Sequence, residues 1–92
     1  VNCKAKGSRA EHKSAAILEA MGYRVTRSGA SLGAWDLIGI SKTDFCVVQV
    51  KVRDWPGSVE METLKLFEVP ANCRRVIHRW RDRQRTPDVR EL

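Results

Sequence analysis

The run Phe45-Cys46-Val47-Val48-Gln49-Val50-Lys51-Val52 constrains this chain more than any other stretch. β-Branched residues suit a pleated, half-buried surface. Ser41-Lys42-Thr43-Asp44 before the run reads as a turn, and Asp54-Trp55-Pro56-Gly57 after it as a break. Successive side chains on a strand point to opposite faces. Val48, Val50 and Val52 therefore share one face, and Val47, Gln49 and Lys51 the other. The first face is plain core. The second sets an amide and an amine side by side on an otherwise apolar sheet.

The rest of the chain supplies partners for that strand. Ser8-Arg9-Ala10-Glu11 reads as a capping box, with Ser8 as N-cap and Glu11 at N3. Ser14, Ile17, Leu18 and Met21 recur at helical spacing and Gly22 stops the pattern, which predicts a helix over 8–21. Residues 1–7 before it read as a mobile basic arm. Residues 23–27 and 35–40 read as short strands, separated by a small, flexible loop over 28–33. A second helix is expected over 59–67, ending before Pro70, then strands over 74–80 and 88–92 joined by a polar turn. The order helix, three strands, helix, two strands describes a small α/β domain with a mixed central sheet flanked by helices. Residues 1–92 read as one domain, without repeats or linkers.

Composition narrows the partner. The 92 residues carry 17 Lys and Arg against 11 Asp and Glu, a formal charge of +6. That excess favours a polyanion, nucleic acid above all, over a merely soluble basic protein. Cys3, Cys46 and Cys73 are widely spaced and lack a CxxC pair, so neither a disulfide framework nor a zinc knuckle is indicated. No signal-type apolar segment opens the chain, and no stretch approaches the roughly 20 apolar residues of a membrane span. The expectation is an intracellular protein without a membrane, nucleoid-associated or viral in a host cell.

The chemistry gathers around the first strand pair. Asp36, in Trp35-Asp36-Leu37-Ile38, shares a face with Ile38 and Ile40 and is expected on a buried side. Glu11 is either a helix cap or, because it lies on the apolar side with Ala15 and Leu18, an acid leaning towards the sheet. Mg²⁺ prefers oxygen ligands, often only one or two of them carboxylates. Glu11, Asp36, the Gln49 side-chain carbonyl and the Val50 backbone carbonyl could provide them. Lys51 would hold a water or offset charge on phosphate oxygens; alternatively it is simply solvated.

Gly7-Ser8 with Glu11, Arg27-Ser28-Gly29-Ala30-Ser31, Trp35-Asp36-Leu37-Ile38 and Val48-Gln49-Val50-Lys51 together resemble the archaeal-type Holliday junction resolvases of the PD-(D/E)XK nuclease superfamily. The resemblance covers roughly residues 4–55. It implies a restriction-endonuclease-like fold and a homodimer that cuts four-way DNA junctions with Mg²⁺ or Mn²⁺. It implies Glu11 and Asp36 as metal ligands, Lys51 as the catalytic lysine, and Arg27 with Ser28 or Ser31 at the phosphate. Trp35 stands where the motif has proline, His12 where these resolvases tend to have arginine, and Gln49 where they carry an acid. The last change removes one negative charge and leaves an oxygen in place. Alternatives are another nuclease of the superfamily, cutting flaps, ends or single strands, and a DNA-binding module whose catalysis is lost through Gln49.

Further basic residues extend the expected DNA surface: Lys4, Lys6, Arg9 and Lys13 near the start, Arg53 after the central strand, and Arg79 and Arg81 in an arginine-rich last third. Trp80 among these could stack on an exposed base. The other reading of that third is a solvated strand edge that discourages aggregation. His12 and His78 lack partners at metal-ligand spacing. Trp55 anchors a turn or serves a dimer contact.

Overall fold

The computed structural model describes residues 3–29 and 32–92, apart from the side chains of residues 3–6. Helix α1 (Cys3–Ala20) leads into β1 (Arg24–Arg27), β2 (Leu37–Ile40) and β3 (Phe45–Val52); α2 (Ser58–Leu66), β4 (Cys73–Trp80) and β5 (Asp88–Glu91) follow. The sheet order is β1-β2-β3-β4-β5. Only the β3–β4 pair is parallel, with Gln49 opposite Ile77 and Lys51 opposite Arg79. Its crossover is α2, the connection that parallel neighbours require.

The alternation read from Phe45–Val52 decides which helix covers which face. Val48 and Val50 join Leu18, Tyr23, Leu37 and Val76 beneath α1. Val47 joins Trp35, Leu64 and Ile77 beneath α2, with Trp55 and Phe67 packed against them. Trp35 is almost wholly buried and meets the Phe67 ring edge-on at 5.8 Å. The residue that replaces the motif proline is thus a core anchor. At Gly39 a side chain would come within 2.7 Å of the Cys46 sulfur. That thiol is buried in the α1-side core, which pushes its pKa up to about 11, so it is inert packing.

The start of α1 corrects the sequence reading. The helix begins at Cys3, so Ser8 lies inside it and is not an N-cap, and residues 3–7 are helical where a mobile arm was expected. Lys4, Ala5 and Lys6 are good helix formers, and they outweigh the cost of about 1 kcal/mol that a helical Gly7 carries. The C-terminal stop falls as expected. Gly22 takes φ 102°, its N–H bonds to Glu19 O, and the Tyr23 N–H bonds to Leu18 O, closing a Schellman motif.

A buried polar triad ties α1 to β4. The Ser14 hydroxyl is wholly buried, 2.8 Å from Trp80 Nε1 and 2.9 Å from His78 Nδ1. The indole can only donate, so Ser14 accepts from Trp80, and the direction of its bond with His78 Nδ1 is set by the imidazole tautomer. Trp80 is therefore a core residue and not a platform for an exposed base. Burial drives His78 down to about 4 from 6.5. The neutral ring's contribution is fully present above the unfolded value and is lost as pH falls towards 4. We expect the natural chain to lose about 2 to 3 kcal/mol more stability than His78→Gln between pH 7 and 4.5, read from urea-unfolding midpoints. Parallel pH curves would contradict this.

Candidate active site

The site forms where β2 stops and β3 runs on. β2 pairs with β3 only as far as Leu37 opposite Val48, whereas β3 stays paired to β4 through Val52. Residues 49–52 thus face a notch on the β2 side, and Asp36 fills it. Its N–H bonds to Val48 O at 2.9 Å, and its Oδ2 accepts the Val50 N–H at 2.8 Å. The Ser28 N–H bonds to Asp36 O at 3.0 Å, so both flanking segments hold the acid.

Burial raises the pKa of Asp36 above the ordinary carboxylate value, opposed by the Val50 N–H. Glu11 raises it further through charge, Lys51 lowers it, and Glu60 raises it again. Asp36 therefore feels three charged neighbours, one from α1, one from β3 and one from α2.

Gln49 and Lys51 share the α2-side face, as the alternation requires. Gln49 is buried, and its Nε2 donates to Glu60 Oε2 at 3.0 Å. The half-buried Lys51 ammonium donates to Glu60 Oε1 at 3.3 Å. Gln49 Oε1 is buried with no hydrogen-bond partner. Since Nε2 is committed to a carboxylate, the atom left over is an oxygen acceptor. A buried acceptor without a partner carries a desolvation penalty that a cation would relieve. The hard oxygen donors here suit a divalent ion that accepts few carboxylates and keeps water. Among the described residues no three His, Cys, Asp or Glu side chains gather closely enough to hold a metal ion by themselves. Any such ion would therefore draw on the amide and backbone oxygens too.

Glu11 is held by Arg27, whose Nε lies 3.4 Å from its Oε1. The same guanidinium donates to Ser8 Oγ at 3.0 Å. Ser28 is buried and donates its hydroxyl to Trp35 O, which leaves it no free donor. Ser31 and the side chains of Lys4 and Lys6 lie outside the described residues. Arg9, Lys13 and Arg81 line one cleft together with Arg83, at the end of β3 beside Val52, and Trp80 forms part of its wall. Lys13 Nζ sits 5.3 Å over the Trp80 ring. Arg79 is committed to Asp88 at 2.6 Å and stacks 4.6 Å above Trp55. Trp55 also packs against the α2-side core. Arg53 is exposed at φ 75°, with its N–H bonded to Trp80 O.

Glu60 is the residue that sequence reasoning missed. Its only signal was an acid in the first turn of the helix following the Lys51 strand, and the helix dipole explains such an acid without any site.

A mixed sheet between two helices, with an acid at a strand entrance bonded to the Gln49-Val50-Lys51 segment of the next strand, is the arrangement of the restriction-endonuclease-like fold class. The chain belongs to the archaeal Holliday junction resolvase (Hjc) family, whose model matches residues 2–68. That family comprises nucleases that act on branched DNA and generally use a divalent metal. Among solved structures, Hjc of Archaeoglobus fulgidus, a Holliday junction resolvase from an archaeal hyperthermophile, is similar in fold. The TM-score is 0.68 at 20% identity, over 95% of this chain and 71% of that one. No curated protein sequence matches the chain.

Proposed function

We propose that this chain cuts four-way DNA junctions as a Mg²⁺- or Mn²⁺-dependent homodimeric endonuclease. The observation that carries the reading is the notch itself: Asp36 held against the Val50 N–H, beside Lys51 and the unpartnered Gln49 Oε1. Asp36, Gln49 Oε1 and the Val50 carbonyl would hold the ion, and Glu11 would reach it once Arg27 turns to a phosphate. When bound, a divalent cation supplies polarisation of the scissile phosphate and a more acidic water.

The chain's own groups do the rest. Lys51 places its ammonium beside the amide and offsets charge growing on the phosphate oxygens. Arg9, Lys13 and Arg81 guide the backbone along the cleft past the end of β3, with Arg53 exposed at the following turn. Their contribution is sequence-independent and weakens with salt.

Substrate choice tests the proposal. With Mg²⁺ and arms of equal length, a four-way junction is expected to be cut at least about 100-fold faster than duplex, a difference of about 3 kcal/mol. A flap should also be cut slowly. Equal rates on all three would leave a nuclease without junction preference. No cutting by the natural chain, restored by Gln49→Glu, would instead favour a binding module whose catalysis was lost.

A further inference from the structure

β3 lacks an acid at position 49, yet the site does not lack a carboxylate there. Glu60, in the first turn of α2, directs both of its oxygens at the sheet: Oε2 accepts from Gln49 Nε2 at 3.0 Å and Oε1 from Lys51 Nζ at 3.3 Å. A role in balancing the helix dipole would explain an acid at this position, but it needs no contact with the sheet. Here the side chain spans from the helix to the two β3 residues of the site. The amide it grips is 3% exposed and presents the orphaned Oε1 described above. The bond to Glu60 fixes which end of that amide is oxygen.

We propose that Glu60 is, beside Asp36, the second carboxylate of the metal site in the DNA-free protein and takes the place of the acid that β3 lacks at position 49. This rests on the metal-dependent reading given above. Gln49 then has two tasks: Nε2 positions Glu60 and Oε1 is itself a donor to the ion. Lys51, paired with Glu60 in the free protein, would be free to turn to the phosphate where Glu60 held the ion. While Arg27 holds Glu11, Asp36 and Glu60 with amide and backbone oxygens and water make a donor set of the kind Mg²⁺ accepts, and Glu11 adds to it only once Arg27 turns to a phosphate.

Mn²⁺ binding without DNA, followed by electron paramagnetic resonance, separates this inference from the reading beneath it. Glu60→Gln keeps an acceptor for Lys51, and the side chain is 39% exposed, so the fold tolerates it. We expect it to weaken Mn²⁺ binding about tenfold or more, since ligand charge sets affinity. Combining Gln49→Glu with Glu60→Gln returns an acid to β3 and is expected to recover most of that loss. Normal Mn²⁺ binding by Glu60→Gln, alongside loss in Asp36→Asn, overturns the assignment of Glu60 and leaves the metal site standing. Weakening that the double variant does not recover also overturns it, marking Glu60 as a support for Gln49 and Lys51. Normal binding by both single variants removes the metal site and the proposal together.

Discussion

Asp36→Asn is expected to reduce junction cleavage about 1,000-fold or more, equivalent to about 4 kcal/mol of transition-state stabilisation, while leaving the protein folded. The two halves of that expectation come from the same geometry. An asparagine oxygen can accept the Val50 N–H as Asp36 Oδ2 does at 2.8 Å, so the joint between β2 and β3 survives. Burial disfavours the charged carboxylate at this position, so the neutral amide removes a cost of folding. Only the negative charge is lost, and that charge is what a divalent ion needs. The check is a single-turnover rate on a four-way junction beside a thermal melt. A variant that melts normally and cuts at the natural rate would move the site elsewhere.

Ser14→Ala is expected to destabilise the protein by about 2 to 4 kcal/mol, because two buried ring nitrogens lose one shared partner. The Trp80 indole can find no acceptor in place of Ser14 Oγ, and His78 is equally enclosed. For a chain of this size each kcal/mol moves Tm by about 4 to 8 °C. The fall should therefore be about 8 °C or more. Calorimetry measures it. A shift within a degree or two would show that the triad contributes little to holding α1 on the sheet.

Much of this was legible in the sequence because one strand carried it. The period of two in Phe45–Val52 sorts Val48 and Val50 from Val47, Gln49 and Lys51, and the two helices cover the faces accordingly. Gly22 marked the end of α1 because a positive φ there needs glycine. The start of α1 was misread because Ser8 and Glu11 match a cap pattern that a preceding run of helix formers overrides. Trp80 was misread for a different reason: its partner Ser14 lies on another element, and no local pattern links them. Glu60 was hidden in the same way, since its contacts with Gln49 and Lys51 form only through the β3–α2 crossover. Arg79 and Ser28 looked available in sequence, but each is committed to a local partner, Asp88 and the Trp35 carbonyl.

The most direct test of the central claim is a cut map of a four-way junction, with each strand labelled in turn and Mg²⁺ supplied. A homodimer carrying one Asp36 notch per protomer should nick two opposed strands at symmetry-related phosphates and release two nicked duplexes. Cuts confined to a single strand, or progressive trimming from the arm ends, would contradict the account.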